Sequence, residues 1–497
     1  MSAAAVLLLL LPWLRVDPPP GLSWSNAPYT DEGFYNAAAR NLVMFGSFGH
    51  EGLFGQLTNG GYAVANAVVF SVTGPSIDAA RMVSVLSVCA MVLLAVWGLS
   101  GVVGFPAAMV VAAGIGGSQL LLLYGHIAIV EPFESAWLFA AFVVGTRGFV
   151  SGRWPLGILG GVFLAVAAAA KASAFLAFPA VIGLPMVVAL ATRAWRRLMV
   201  ALASAGTVVV LAGIWVLVVA LPNRADLSAS LKTLNGTNLS TYPHGLGAAL
   251  SRLTRWVSHP GATDHVIPWS RPLLAAAAAG IVGCGLLWRR ARPAHLFVAA
   301  SGLVWVTCCW AVPILSGYSP NRYFLIGIPG LGLVAGPGLG LAAEWATGRL
   351  RGRAWRPAAG AALALLVALP GVVSYLRLEY GLHGRDQLAA DQAAVARVLP
   401  KNAVLFGLYG PEMAFSAPVR LVVPWPQSSL HMRSPVQRFR VNYVIADISP
   451  SGRSTGPVIL RAVSTPGRPL GPPLVTVPWG PHRLAVYRVG GPSAQAG

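Results

Sequence analysis

Charge is what this sequence has least of. Only 10% of its 497 residues are Asp, Glu, Lys or Arg, against roughly 25% in soluble domains. With 56% hydrophobic residues and a mean hydropathy of +0.67, a soluble globule is excluded. Cysteine is scarce as well: Cys89, Cys284, Cys308 and Cys309 all fall inside apolar stretches, which excludes a disulfide framework and a zinc-ligand spacing. Lysine is nearly absent, at Lys171, Lys232 and Lys401 alone, and acidic residues number 15. No Asp-X-Asp occurs and no repeat of fixed period is apparent.

What remains is apolar spans punctuated by arginine. The net charge of +20 lies in short clusters between those spans, as expected of a cytoplasmic membrane surface and not of a nucleic-acid face. The clusters are Arg147 with Arg153; Arg193, Arg196 and Arg197; Arg289, Arg290 and Arg292; and Arg349, Arg351, Arg353 and Arg356. If all are cytoplasmic, an even number of crossings separates each pair. Leu156 to Leu190 is too long for one span of about 20 residues, so it reads as two short ones turning near Lys171 on the outer side. Met82–Leu99 and Val102–Tyr124 read as a hairpin turning at Ser100 and Gly101. Ser2–Leu14 is a short first helix without the basic start of a signal peptide. Gly61–Val72 is better read as surface-lying or re-entrant, because counting it as a crossing inverts the arginine clusters.

The fold class expected is therefore an all-α polytopic membrane protein of about eleven spans, N terminus inside, with a small extracytoplasmic α/β domain at the C terminus. Residues 1–375 form the membrane domain, including outer loops at 15–75 and 222–271. Residues 376–497 form the appended domain, where Arg385–Leu399 has a helical pattern and Ala403–Leu408, Arg440–Ile448 and Arg483–Val489 read as strands. The tail after Gly490 reads as disordered. The sequons at Asn235 and Asn238 in the outer loop are short enough to be chance.

Chemistry rests on the few ionisable residues assigned to the outer side. Asp31 and Glu32 follow the first helix in PYTDEGFYNAAARNL, where Thr30 can N-cap a helix whose apolar stripe of Phe34, Ala38, Leu42 and Phe45 can lie on the membrane surface. Acidic residues in a first turn stabilise the macrodipole by roughly 0.3–1 kcal/mol, which explains the pair without function; the alternative is a general base held at the bilayer edge. Glu131 in YGHIAIVEPFESAWLF precedes Pro132, so Glu131 and Glu134 also serve as helix-start groups. His126 in the same segment is ordinarily an interfacial hydrogen-bonding residue, and nothing fixes a metal-ligand set. Lys171 interrupts the longest apolar run; it either snorkels or, since buried charge costs roughly 2.5–3.5 kcal/mol on insertion scales, has an anionic partner such as a phosphate. Arg322 with Tyr323 opens a helix in GYSPNRYFLIGIP, where a cation opposes the macrodipole on the side the positive-inside rule disfavours.

In this order along the chain, an Asp-Glu pair, an acid before Pro, a Lys in an Ala-rich turn and an Arg-Tyr resemble the polyprenyl-phosphate-sugar-dependent transferases of the C-type glycosyltransferase fold. The aminoarabinose transferases of lipid A and the protein O-mannosyltransferases are its familiar members. The resemblance covers roughly Ala4 to Pro329. It implies that Asp31 is the catalytic base, Glu131 the second acidic residue of the cavity, and Lys171 and Arg322 phosphate ligands, with Glu32, Tyr35, His126 and Tyr323 lining the substrate site. It further implies a membrane glycosyltransferase acting with inversion on a polyprenyl-phosphate sugar donor, with a lipid, glycan or protein as acceptor, at the outer face of the cytoplasmic membrane. No cofactor is expected, a divalent cation being the one addition the residues leave open. Aminoarabinose transferases place an Arg three residues after the catalytic Asp; here that position is Phe34, so aminoarabinose as donor is not supported. The rival class is a polytopic transporter of a lipid or glycan, which would carry its charges at the midplane on broken helices related by internal repeats.

Overall fold

The computed structural model describes residues 2–18, 22, 31–47, 59–224, 227–228, 245–251, 266–316, 320–349, 355–381, 387–423, 435–449, 456–464, 470–480 and 482–490. The sequons, Lys232, Thr30, Arg351, Arg353 and the tail after Gly490 lie outside them. In chain order the principal helices are α1 Ala3–Leu10, α2 Asp31–Phe45, α3 Gly60–Thr73, α4 Ile77–Val103, α5 Phe105–Gly116, α6 Gln119–Gly125, α7 Val130–Ser151, α8 Trp154–Ala170, α9 Leu184–Ala191, α10 Trp195–Trp215, α11 Val266–Leu286, α12 Pro293–Ser316, α13 Ile328–Arg349, α14 Trp355–Gly381 and α15 Gln387–Val398. The chain divides into two compact units. One comprises Met1–Pro12, Met82–Asn223 and Asn238–Gly381; the other comprises Trp13–Arg81, Arg224–Thr237 and Leu382–Gly497.

The first unit is the membrane bundle. Among the described residues seven helices are long and apolar enough to cross a bilayer, and the pair α5 and α6, bent by 57°, adds an eighth where it is counted as one span. Ala3–Trp13, Trp154–Ala170 and Ser270–Leu286 are shorter apolar helices of the same unit. At the centre α13 packs against α5, α11 and α12, while α8 packs between α7 and α10. The apolar window of α13 is 94% buried and that of α10 only 11%, so α10 gives Leu202, Val209, Val210 and Ile214 to lipid. Bundles in lipid hold together by close van der Waals fit. Accordingly α11 and α13 approach so tightly at Gly280 and Gly338 that a methyl on either would strike the other's backbone.

Two turns of the bundle decide where charges go. The expected hairpin at Ser100 and Gly101 falls instead at Gly104, whose φ of +84° suits glycine; Ser100 and Gly101 remain helical, and Pro106 starts the next helix. The turn at Lys171 lies where the lysine interrupts the apolar run. α8 stops at Ala170, Lys171 is extended (φ −160°, ψ 137°), and a 3-10 turn follows over Ala172–Ala177.

In the second unit, five strands form one sheet: β1 Val404–Phe406, β2 Arg420–Val422, β3 Tyr443–Asp447, β4 Val475–Trp479 and β5 His482–Arg488. Their spatial order is β2-β1-β3-β5-β4; β1 runs parallel to β2 and β3, and β5 antiparallel to β3 and β4. Phe406, Val422, Val444, Ala446, Ile459 and Val463 form its core. Helix α2 belongs to this unit. Its Phe34 and Ala37 pack on Val423 and Leu408, so the stripe expected to lie on lipid is instead partly covered by protein. The 14 residues of α3 rise about 21 Å, short of a hydrocarbon core of about 30 Å. One side of α3 buries Tyr62, Asn66 and Phe70 while Val64, Val68 and Val72 are exposed, a pattern for a surface-lying helix.

Candidate active site

Three of the ionisable residues singled out in the sequence converge in the membrane unit. Lys171, freed from helical geometry by the break after Ala170, donates from Nζ to Glu131 Oε1 at 2.6 Å. Arg322 Nε lies 3.4 Å from the same oxygen. The Lys171 ammonium sits 4.4 Å from the centre of the Tyr323 ring and the Arg322 guanidinium 5.5 Å from it, cation–π distances that help hold desolvated cations. Glu131 is 1% exposed, Lys171 16% and Arg322 13%, so both contacts are nearly withdrawn from solvent. The second carboxylate oxygen of Glu131 accepts no hydrogen bond among the described residues.

Local structure accounts for this convergence. Glu131 stands in the first turn of α7, which starts at Val130 after the extended Ile129. Arg322 and Tyr323 lie in a 3-10 segment, Asn321–Gly327, leading into α13. That segment is pinned from α12: Trp305 Nε1 donates to Ile326 O at 2.7 Å and Trp310 Nε1 to Phe324 O at 3.0 Å. Glu134, one helical turn beyond Glu131, accepts from Ser173 Oγ at 2.7 Å. From the sequence Glu134 has only a helix-start role and Ser173 none, although the i, i+3 spacing from Glu131 puts Glu134 on the same helix face.

His126 lies apart from this cluster in the same unit. It is fully buried, with Nδ1 3.2 Å from Leu122 O and 3.5 Å from the Tyr375 hydroxyl, and Nε2 3.6 Å from Glu379 Oε1. Tyr375 and Glu379 stand near the end of α14, and the sequence flagged neither.

Asp31, Glu32 and Tyr35 belong to the second unit, at the start of α2. Glu32 is buried and receives Arg81 as a two-pronged pair, Nε to Oε1 and Nη2 to Oε2, each at 2.7 Å; planar fork geometry makes this the strong form of the interaction. Arg81 also donates to Leu14 O at 2.7 Å and Val16 O at 3.0 Å. Asp31 and Tyr35 are half-buried. Gly33 N–H donates to Glu412 Oε2 at 2.6 Å. Arg40, also buried, donates to Val419 O at 2.8 Å, Phe415 O at 2.5 Å and Ala417 O, and to Asn41 Oδ1 at 2.8 Å. Burial, and then the neighbouring Glu32, hold the Glu412 carboxyl well above the usual range. Asp17 caps α15 by accepting from Gln387 N at 3.0 Å and Leu388 N at 3.3 Å; burial outweighs those bonds and pushes it up to about 6. Burial and the nearby Asp17 raise Asp391 to about 6 as well. Among the described residues no three His, Cys, Asp or Glu side chains gather as metal ligands would.

No sequence-family profile matches the chain, and no curated protein matches it in sequence. Solved structures do match. The crystal structure of ArnT from Cupriavidus metallidurans bound to undecaprenyl phosphate is 15% identical, with the similarity covering 100% of this chain and 98% of that one at a TM-score of 0.63. The same protein in its apo state is 17% identical, covering 99% and 98%, also at 0.63. At such identities the likeness speaks for architecture, and it extends over membrane helices and sheet domain alike. This multi-pass membrane chain has the C-type glycosyltransferase fold.

Proposed function

We propose that the protein transfers a sugar from a polyprenyl-phosphate donor to a hydroxyl of a lipid, glycan or protein acceptor at the outer face of the cytoplasmic membrane. The observation that carries this reading is the meeting of Lys171 and Arg322 on one carboxylate oxygen of Glu131, beside Tyr323. Two cations brought together in a site nearly withdrawn from solvent are groups that recognise a phosphate, and the ArnT structure of the same fold was solved with undecaprenyl phosphate bound. The positive-inside rule assigns the four arginine clusters to the cytoplasm, and with them the Lys171 turn and the sheet domain to the outer side.

In this mechanism Asp31 takes the proton of the acceptor hydroxyl as its oxygen attacks the anomeric carbon. The bond from that carbon to the phosphate oxygen breaks in the same displacement, so configuration inverts and polyprenyl phosphate leaves. Lys171 and Arg322 neutralise the charge gathering on the leaving phosphate, with Tyr323 against them. Glu131 holds both cations in place before the donor arrives. General-base assistance contributes about 10²–10⁴-fold, and cations in a water-poor site add transition-state stabilisation. The mechanism is written without a cofactor.

Mass analysis of membrane glycolipids tests this. A deletion strain should lack one glycosylated product and accumulate its polyprenyl-phosphate sugar; the wild-type chain should restore the product and Asp31→Asn should not. An unchanged glycolipid and glycan profile in the deletion strain overturns the reading.

A further inference from the structure

The sheet domain carries no catalytic motif of its own, yet one of its side chains reaches the turn that bears Asp31. An α-helix begins with backbone N–H groups that lack intrahelical partners, usually satisfied by a side chain just upstream. In α2 one of these, the Gly33 amide, is satisfied by Glu412, 379 residues further on, at 2.6 Å. Glu412 is itself buried, in the short helix Gly410–Met413 between β1 and β2. Its backbone is fixed from α15, where Gln392 Nε2 donates to Glu412 O at 2.7 Å. The approach demands glycine: a Cβ at position 33 would lie 2.6 Å from the carbonyl carbon and oxygen of Pro411 and from Glu412 N. On the adjacent residue the Arg81 fork fixes Glu32. Asp31 is thus the half-exposed member of a turn whose next two residues are each held by a buried ionisable side chain.

We infer that Glu412 is a positioning residue for Asp31, which makes the C-terminal sheet domain a working part of the transfer chemistry. The inference rests on the reading of Asp31 as the base. A capping bond that served stability alone would add to folding and leave turnover untouched. A positioning bond acts on turnover, because a displacement of about 1 Å at a reacting group can cost about 10²-fold in rate.

The test is steady-state transfer by the purified full-length protein, with thermal unfolding and undecaprenyl phosphate binding measured on the same samples. Glu412→Ala should lower kcat by about 10- to 10²-fold, leaving donor KM and undecaprenyl phosphate binding within about twofold of wild type. Glu412→Gln, whose amide oxygen still accepts the Gly33 N–H, should recover most of the loss. The double variant Asp31→Asn with Glu412→Ala should be no slower than Asp31→Asn alone, since groups acting through one another are non-additive. If Glu412→Ala does not fold, Glu412→Asp, which draws the acceptor back by one carbon, should show the same fall in kcat. Wild-type kcat in whichever of these two variants folds, or additive losses in the double variant, overturns the inference. Wild-type turnover in Asp31→Asn, by contrast, removes the transferase reading on which it rests.

Discussion

The two units of this protein hold charge by opposite means. In the membrane unit the cations are placed by interruptions: Lys171 stands where α8 stops and Arg322 in a 3-10 segment before α13, and they share one carboxylate and one aromatic ring. In the other unit the acidic turn of α2 is placed by regular packing against a sheet and by long-range side-chain bonds: Arg81 on Glu32, Glu412 on Gly33, Arg40 on a run of carbonyls. A site that must take and release an anion needs cations brought together away from water. A base must stay where it is, and rigid second contacts serve that end. Under the proposed function, the first cluster binds and the second positions.

The largest effect should come from breaking the fork on Glu32. Arg81→Met leaves Glu32 buried without its partner, and removing one member of a buried pair costs about 3–5 kcal/mol. The expected outcome is a sharp drop in thermal stability and in yield of folded protein; an unchanged melting curve would mean that the fork carries little. Asp31→Asn comes next. It should lower turnover by about 10²-fold or more, while stability changes by no more than the first-turn dipole contribution of roughly 0.3–1 kcal/mol. Lys171→Ala should act on both donor KM and kcat, each by about tenfold, because the phosphate is present in ground and transition states alike; a pure kcat effect in donor titrations would move Lys171 from the binding side of the comparison to the positioning side.

The smallest effect is one of pH. Asp17 and Asp391 have folded-state values raised to about 6, above the ordinary carboxylate range near 4. The folded state therefore binds protons more tightly than the unfolded one. The stability these groups contribute is full below about pH 4 and lost as pH rises through about 6. Melting followed from pH 4.5 to 7 should show that decline, and Asp17→Asn, which keeps an acceptor for the α15 amides, should flatten it.

Much of the membrane side was legible because charge in an apolar run has few innocent explanations. Lys171 marked its own helix break, and Arg322 stood out as a cation at the wrong end of a helix. Ser100 and Gly101 misled, since small residues are tolerated inside membrane helices and the chain turns only where Gly104 takes a positive φ. In the sheet domain the strands recognised from pattern are the interior ones, β1, β3 and β5; the two that escaped, β2 and β4, are the edges. β2 is three residues long and β4 contains Pro478, and edges are where short strands and proline are allowed. Glu412 and Gly33 are too far apart in sequence for any local pattern to join them, and Glu134 was passed over because its helix-start explanation sufficed.

The most direct measurement is undecaprenyl phosphate binding by the purified protein in detergent, wild type against Lys171→Ala. Saturable binding by the wild type, weakened about tenfold or more when the ammonium is removed, a loss of about 1.4 kcal/mol, is the expected result. Equal affinities, or a wild-type protein that does not bind the lipid phosphate at all, would contradict it.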